Sequence, residues 1–168
     1  MAKLSTKKIA RAGVLAGLYA LLSLVTFPIA SGSIQFRVSE GLCLLPLFMP
    51  ESIPALFIGC MVSNLITGCA IFDVIFGSLI TLFSAILTYY FGKIIKNVPL
   101  KLIVGGLFPV LLNAFLLPLI WYFCYGKLEF LYVVQVCFLL VSQSVSVYAV
   151  GIPLYFIMKK LQNKTRLG

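Results

Sequence analysis

The sequence contains no histidine and only four acidic residues, Glu40, Glu51, Asp73 and Glu129. Without histidine there is no Ser–His–Asp set, and the commonest metal ligand and general base are both missing. So few carboxylates leave little for proton relays or paired acid–base chemistry. No Walker A pattern occurs, so the chain does not hydrolyse ATP by that route. The five cysteines, Cys43, Cys60, Cys69, Cys124 and Cys137, form no CxxC pair and lie in or beside apolar runs. Thiols in such places serve as small buried hydrophobes. No metal, no cofactor and no enzyme activity are expected of this chain.

Charge of either sign is scarce. Charged residues make up 10% of the sequence, against about 25% in ordinary soluble domains. Hydrophobic residues make up 62%, and mean hydropathy is +1.13. A soluble core of this length cannot hide so much apolar surface, so an all-α integral membrane protein is expected. Its length suits a single membrane domain over 1–168, with short basic tails at about 1–8 and 158–168.

The net charge of +9 does not point to nucleic acid, because the cations sit at segment ends. They cluster as Lys3, Lys7, Lys8 and Arg11, then Lys93, Lys96 and Lys101, then Lys159, Lys160, Lys164 and Arg166. That is the footprint of cytoplasmic loops, with anionic lipid heads as partners. The basic start MAKLSTKKIARAG leads into an apolar run reaching about Phe27. The run is too long for a signal-peptide core and no small-residue cleavage site follows, so it reads as a first span.

Apolar segments fall at roughly 9–29, 39–49, 53–71, 73–92, 102–124 and 131–157. Five are long enough to cross about 30 Å of hydrocarbon. The second, EGLCLLPLFMP, is short and contains Pro46. Charge parity decides whether it crosses. Both basic termini and the loop at 93–101 belong inside, and only an even number of crossings puts them all there. The expectation is a compact bundle of six transmembrane helices with both termini cytoplasmic. The loops near Gln35–Arg37, Asp73 and Lys127–Glu129 then face outward.

The polar residues left inside this apolar chain are the candidates for function. Gln35, Arg37 and Glu40 form a polar knot between two hydrophobic runs. A local salt bridge with Ser39 as a helix cap would explain it; so would a loop that closes over a ligand. Asp73 opens a face of small and polar residues, Gly77, Thr81, Ser84 and Thr88, at spacings of three and four. Such a face suits a cavity wall or a close helix contact. Asn64, Asn113, Gln135 and Gln143 are amides in apolar segments, costly unless they join helices or meet a substrate. Trp121 and Tyr122 suit an interfacial aromatic belt or a stacking platform. On the first span, Ala12, Ala16 and Ala20 share one face, beside Gly13 and Gly17. This smooth face admits another helix, within the chain or from a separate subunit.

The runs GSIQFRVSEGLCLLPLF (32–48), MPESIPALFIGCMVSNL (49–65) and IFDVIFGSLITLFSAILTYY (71–90), with GIPL at 151–154, resemble the QueT-type queuosine-precursor transporter family. Its members are substrate-binding S components of energy-coupling factor (ECF) transporters. The resemblance implies a six-helix capture subunit in a prokaryotic cell membrane. Its cargo would be a deazaguanine base, the nitrile or aminomethyl precursor or queuine, taken from outside. It also implies a transmembrane coupling subunit (EcfT), onto which Ala12, Ala16 and Ala20 would dock, and two cytoplasmic ATPases that supply the energy. Glu40 and Asp73 are then expected to take the N–H donors of the base. Gln35, Arg37, Asn64, Asn113 and Gln143 would meet its carbonyl and ring nitrogens, and Phe36 or Trp121 would stack on it. An S component for another small vitamin, and a membrane assembly protein whose polar residues only join helices, are the alternatives.

Overall fold

The computed structural model describes residues 6–30, 35–126, 128 and 130–166, and for residues 29, 30 and 162–166 the backbone alone. Lys3, Lys127, Glu129 and the side chains of Lys164 and Arg166 therefore lie outside what is described.

Six helical rods follow one another, and no strand occurs among the described residues. They are α1 (Thr6–Ala30), a 3-10 helix (Val38–Leu47), α2 (Ser52–Ile66), α3 (Ser78–Ile94) with a π-helical turn before it (Asp73–Gly77), and α4 (Val98–Tyr125). The last rod joins α5 (Tyr132–Ser144) to α6 (Gly151–Arg166) through a second π turn, Val145–Val150. Among the described residues, four stretches are long and apolar enough to cross a membrane: Thr6–Pro28, Asp73–Ile94, Val98–Tyr125 and Tyr132–Leu161.

This count is one lower than the sequence suggested, because the apolar run 53–71 does not stay helical. Gly68 takes a positive φ of 70°. The Cys69 amide bonds back to the Asn64 carbonyl (3.0 Å) and the Gly68 amide to the Leu65 carbonyl (3.3 Å). This paired 6→1 and 5→2 closure around a left-handed glycine stops a helix. α2 thus has 15 residues, about 22 Å at 1.5 Å per residue.

The 3-10 helix is the innermost rod. Ser39 to Leu47 are all buried, and it packs against α1, α2, α3, α4 and α6. At ~2.0 Å per residue its ten residues reach about 20 Å, further than an α-helix of equal length. Its neighbours come close through missing side chains. A Cβ on Gly151 would lie 2.7 Å from the Gly41 carbonyl oxygen. Leu47 sits between Gly92 and Gly105, where a Cβ would meet its Cδ2 at 2.9 Å and 2.8 Å.

The bundle has one cationic end. Arg11 and Glu51 pair at 3.6 Å, and Phe48 stacks edge-on against Tyr155 at 5.0 Å. These contacts gather the start of α1, the turn before α2 and the end of α6. Leu47, lodged between α3 and α4, brings the end of α3 and the start of α4 to the same level. Lys7, Lys8, Arg11, Lys93, Lys96, Lys101, Lys159 and Lys160 all belong to these ends. Among the described side chains, Arg37 is the cation placed elsewhere. Exposed apolar side chains such as Val14, Leu21, Val25, Phe83 and Val141 cover the outside, the surface that suits lipid.

The alanine face of α1 is used inside the chain in part. Ala20 is buried, and Ala12 and Ala16 pack half-buried against a core built by Leu15, Tyr19, Leu42, Leu56 and Ala85. A Cβ on Gly59 of α2 would meet the Ala16 carbonyl oxygen and the Tyr19 Cβ, each at 2.8 Å. Gly13 and Gly17, beside the ladder, have nothing within 4 Å of an added Cβ. Gly59→Ala should therefore lower thermal stability by about 1–3 kcal/mol, the scale of overpacking against atoms that cannot yield. Gly17→Ala should leave it unchanged or slightly raised. Melting curves of the two variants in detergent check this pair.

Candidate functional site

Toward the end opposite the lysines, the rods enclose a polar cavity of about 40 Å³. Gln35, Arg37 and Glu40 enter from the 3-10 helix and the segment before it. Cys60, Asn64 and Cys69 come from α2 and its cap, and Asp73, Gly77 and Thr81 from the π turn and α3. Asn113, Leu117 and Trp121 come from α4 and Gln143 from α5. The volume is that of a few waters at ~10–15 Å³ each.

Glu40 forms the floor. It is 3% exposed and its carboxylate accepts three bonds. Tyr19 Oη donates to Oε1 at 2.8 Å, while Cys43 Sγ and Asn113 Nδ2 donate to Oε2 at 3.2 Å and 3.4 Å. The Cys43 contact follows from the 3-10 geometry, in which residues i and i+3 eclipse. Asn113 Nδ2 also reaches Gln143 Oε1 at 3.5 Å, tying α4 to α5.

Asp73 stands at the other level of the cavity. Its Oδ1 accepts a 2.8 Å bond from the indole N–H of Trp121. Asn64 links the levels: its Oδ1 accepts from Arg37 at 3.2 Å and its Nδ2 donates to the Asp73 carbonyl at 3.2 Å. Along α4, Asn113 marks the level of Glu40 and Trp121 that of Asp73. Eight residues at 1.5 Å rise separate those two positions on α4 by about 12 Å.

Arg37 and Glu40 do not pair. Among the described residues the ion pair present is Arg11–Glu51, and Arg37 turns to Asn64 instead. Neither Ser39 nor Asp73 caps its helix through its side chain. The Ser39 hydroxyl accepts from Ser23 at 2.7 Å. Gln35, on the cavity wall, holds φ at 44°. This left-handed conformation costs a non-glycine residue roughly 1–2 kcal/mol, and such strain gathers at functional sites.

The cavity thus brings together Gln35, Arg37, Glu40, Asn64, Asp73, Asn113, Trp121 and Gln143 from the sequence candidates. Phe36 is half-buried and is not part of the wall. Tyr122 is 55% exposed on the outer surface of α4, the aromatic-belt position. Gln135 is buried away from the cavity. The polar face of α3 serves both of its expected uses. Gly77 and Thr81 line the cavity, whereas Thr88 donates to the Gly105 carbonyl at 2.8 Å and joins α3 to α4. Sequence reasoning missed Tyr19, Cys43, Cys60 and Cys69. A tyrosine inside an apolar span needs a hydrogen-bond partner, and that was the available signal for Tyr19.

Apolar rods, four of them long enough to span a bilayer, around a buried polar chamber define a multi-pass membrane protein. The QueT transporter family model matches residues 9–160, and the chain belongs to that family. This places it among transporters, outside the classical enzymes. The chain is also similar to the queuosine precursor transporter QueT of Lactococcus lactis subsp. cremoris (strain MG1363), with 40% identity over 84 residues. That alignment spans about half of each chain, 49% of this one and 49% of the relative. No solved structure matches.

Proposed function

We propose that this chain is the substrate-capture (S) component of an ECF-type importer and that it binds a queuosine precursor, a deazaguanine base, from outside the cell. The observation that carries this reading is the polar cavity at the end opposite the lysines. With those lysines inside, the cavity opens outward in a prokaryotic cell membrane, both termini are cytoplasmic, and all six rods cross. The short 3-10 helix and α2 cross as a pair held within the bundle. The relative's name supplies the class of cargo. Transport energy comes from two ATPases through EcfT, with Ala12 and Ala16 at the edge of the docking face.

The chemistry of the walls suits such a base. A guanine-like edge offers neighbouring N–H donors beside a carbonyl. Glu40 has roughly one of its four lone-pair sites left, and Asn113 can yield a second by turning wholly to Gln143. Arg37 and Gln35 can donate to the carbonyl, and Trp121 offers a face for stacking. Entry requires the walls to part, since the cavity is smaller than two fused rings.

The test is calorimetric titration of the purified chain in detergent with the aminomethyl deazaguanine, guanine and thiamine serving as comparisons. Selective binding of the deazaguanine is expected. Selective binding of thiamine would transfer the chain to another vitamin, and binding of nothing by folded protein would remove the capture role.

A further inference from the structure

The charges on the cavity wall do not balance. Glu40 and Asp73 face one guanidinium, Arg37, and that guanidinium bonds to an amide rather than to either carboxylate. Neither carboxylate has a cation within 4 Å among the described residues, where Arg11–Glu51 is the ion pair. An unneutralised carboxylate inside an apolar bundle is expensive, and an opposite charge brought to it is correspondingly favourable.

The two acids differ in what they have left to give. Glu40 is buried and takes three donors. Asp73 is half-buried and takes the Trp121 indole N–H, with the Tyr125 hydroxyl also beside it. That bond holds the Asp73 carboxylate beside an aromatic ring, and a carboxylate next to an indole is a seat for an ammonium group. Asn113 and Trp121, the α4 residues that meet the two acids, stand about 12 Å apart along the helix. The two acids therefore sit at different levels of the cavity, so that the edge and the arm of one flat ligand can meet one each.

From this charge balance and spacing we propose that the cavity selects a cationic cargo: a flat base whose polar edge meets Glu40 and whose ammonium arm meets Asp73 and Trp121. Asp73 is the specificity-determining residue, and a neutral base with the same ring is disfavoured. The proposal rests on the base-capture reading above and narrows it to one member class.

The experiment compares the aminomethyl deazaguanine, cationic at neutral pH, with the nitrile deazaguanine, which is neutral. Both are titrated into the full chain and into the Asp73→Asn and Glu40→Gln variants. The unaltered chain should prefer the aminomethyl form by about tenfold or more, the scale of one charge-assisted contact. Asp73→Asn should erase most of that ratio, and Glu40→Gln should weaken both ligands while keeping it. Residual nitrile binding shows that each variant is folded. Equal affinities in the unaltered chain, or a ratio unmoved by Asp73→Asn, would overturn the cationic selection and leave base capture standing. Failure of both ligands to bind folded protein would overturn the two together.

Discussion

Glu40→Gln should cost about 10- to 100-fold in affinity for a deazaguanine base and lower the melting temperature modestly, leaving the protein folded. The amide keeps the shape and one acceptor oxygen, so Tyr19 Oη retains its 2.8 Å bond. What disappears is the negative charge that the N–H edge of the base would meet. Hydrogen bonds to an ionised partner are worth ~1.5–3 kcal/mol, and the expected loss is that difference expressed as binding. The amide's own N–H₂ would also face Asn113 Nδ2, two donors head to head where Oε2 now accepts at 3.4 Å. Calorimetry measures the affinity and a thermal melt the fold. Unchanged affinity would take Glu40 out of the binding site. Glu40→Ala is the less informative change, because it leaves Tyr19 as well as Cys43 and Asn113 without a buried acceptor.

Gly151→Ala should be among the most damaging single-methyl additions to the described residues. The added Cβ would fall 2.7 Å from the Gly41 carbonyl oxygen and 3.0 Å from Leu44 Cδ1. The oxygen is backbone of the central 3-10 helix and cannot rotate away. The reciprocal change at Gly41 would meet Val150 side-chain atoms at 2.8 Å and 2.9 Å. Either substitution must push the two rods apart, at about 1–3 kcal/mol or more. The displacement would also tilt Glu40, one residue from Gly41, out of its place at the cavity floor. Loss of both stability and ligand affinity is the expected pairing. A Gly151→Ala protein as stable as the unaltered chain would mean that the rods can separate without cost.

Much of the site was legible because charge is so rare here. In a chain this apolar, Arg37, Glu40 and Asp73 could not be routine surface residues, and the amides at 64, 113 and 143 had to find partners. Helix periodicity placed Asp73, Gly77 and Thr81 on one wall without any knowledge of what lay opposite. Tyr19 was legible only as a buried hydroxyl in need of a partner; that the partner is Glu40 was not, since it lies 21 positions away. The cysteines were hidden by their own chemistry: Cys43 and Cys60 are as buried as any hydrophobe, and only the fold shows that Cys43 donates to a carboxylate. The end of α2 was obscured because residues 65–72 stay largely apolar after the helix stops. The 3-10 geometry could not be read from an apolar pattern at all. It follows from contacts with rods distant in sequence, such as Gly41 against Gly151.

That slender central helix also sets a clock. Its amides are enclosed by α1 to α4 and α6, so no local fraying of one rod uncovers them. Hydrogen exchange across Val38–Leu47 would then proceed only when the bundle opens as a whole. A label placed there reads the lifetime of the assembled fold, and slowed exchange on adding a ligand would report its affinity without any chromophore.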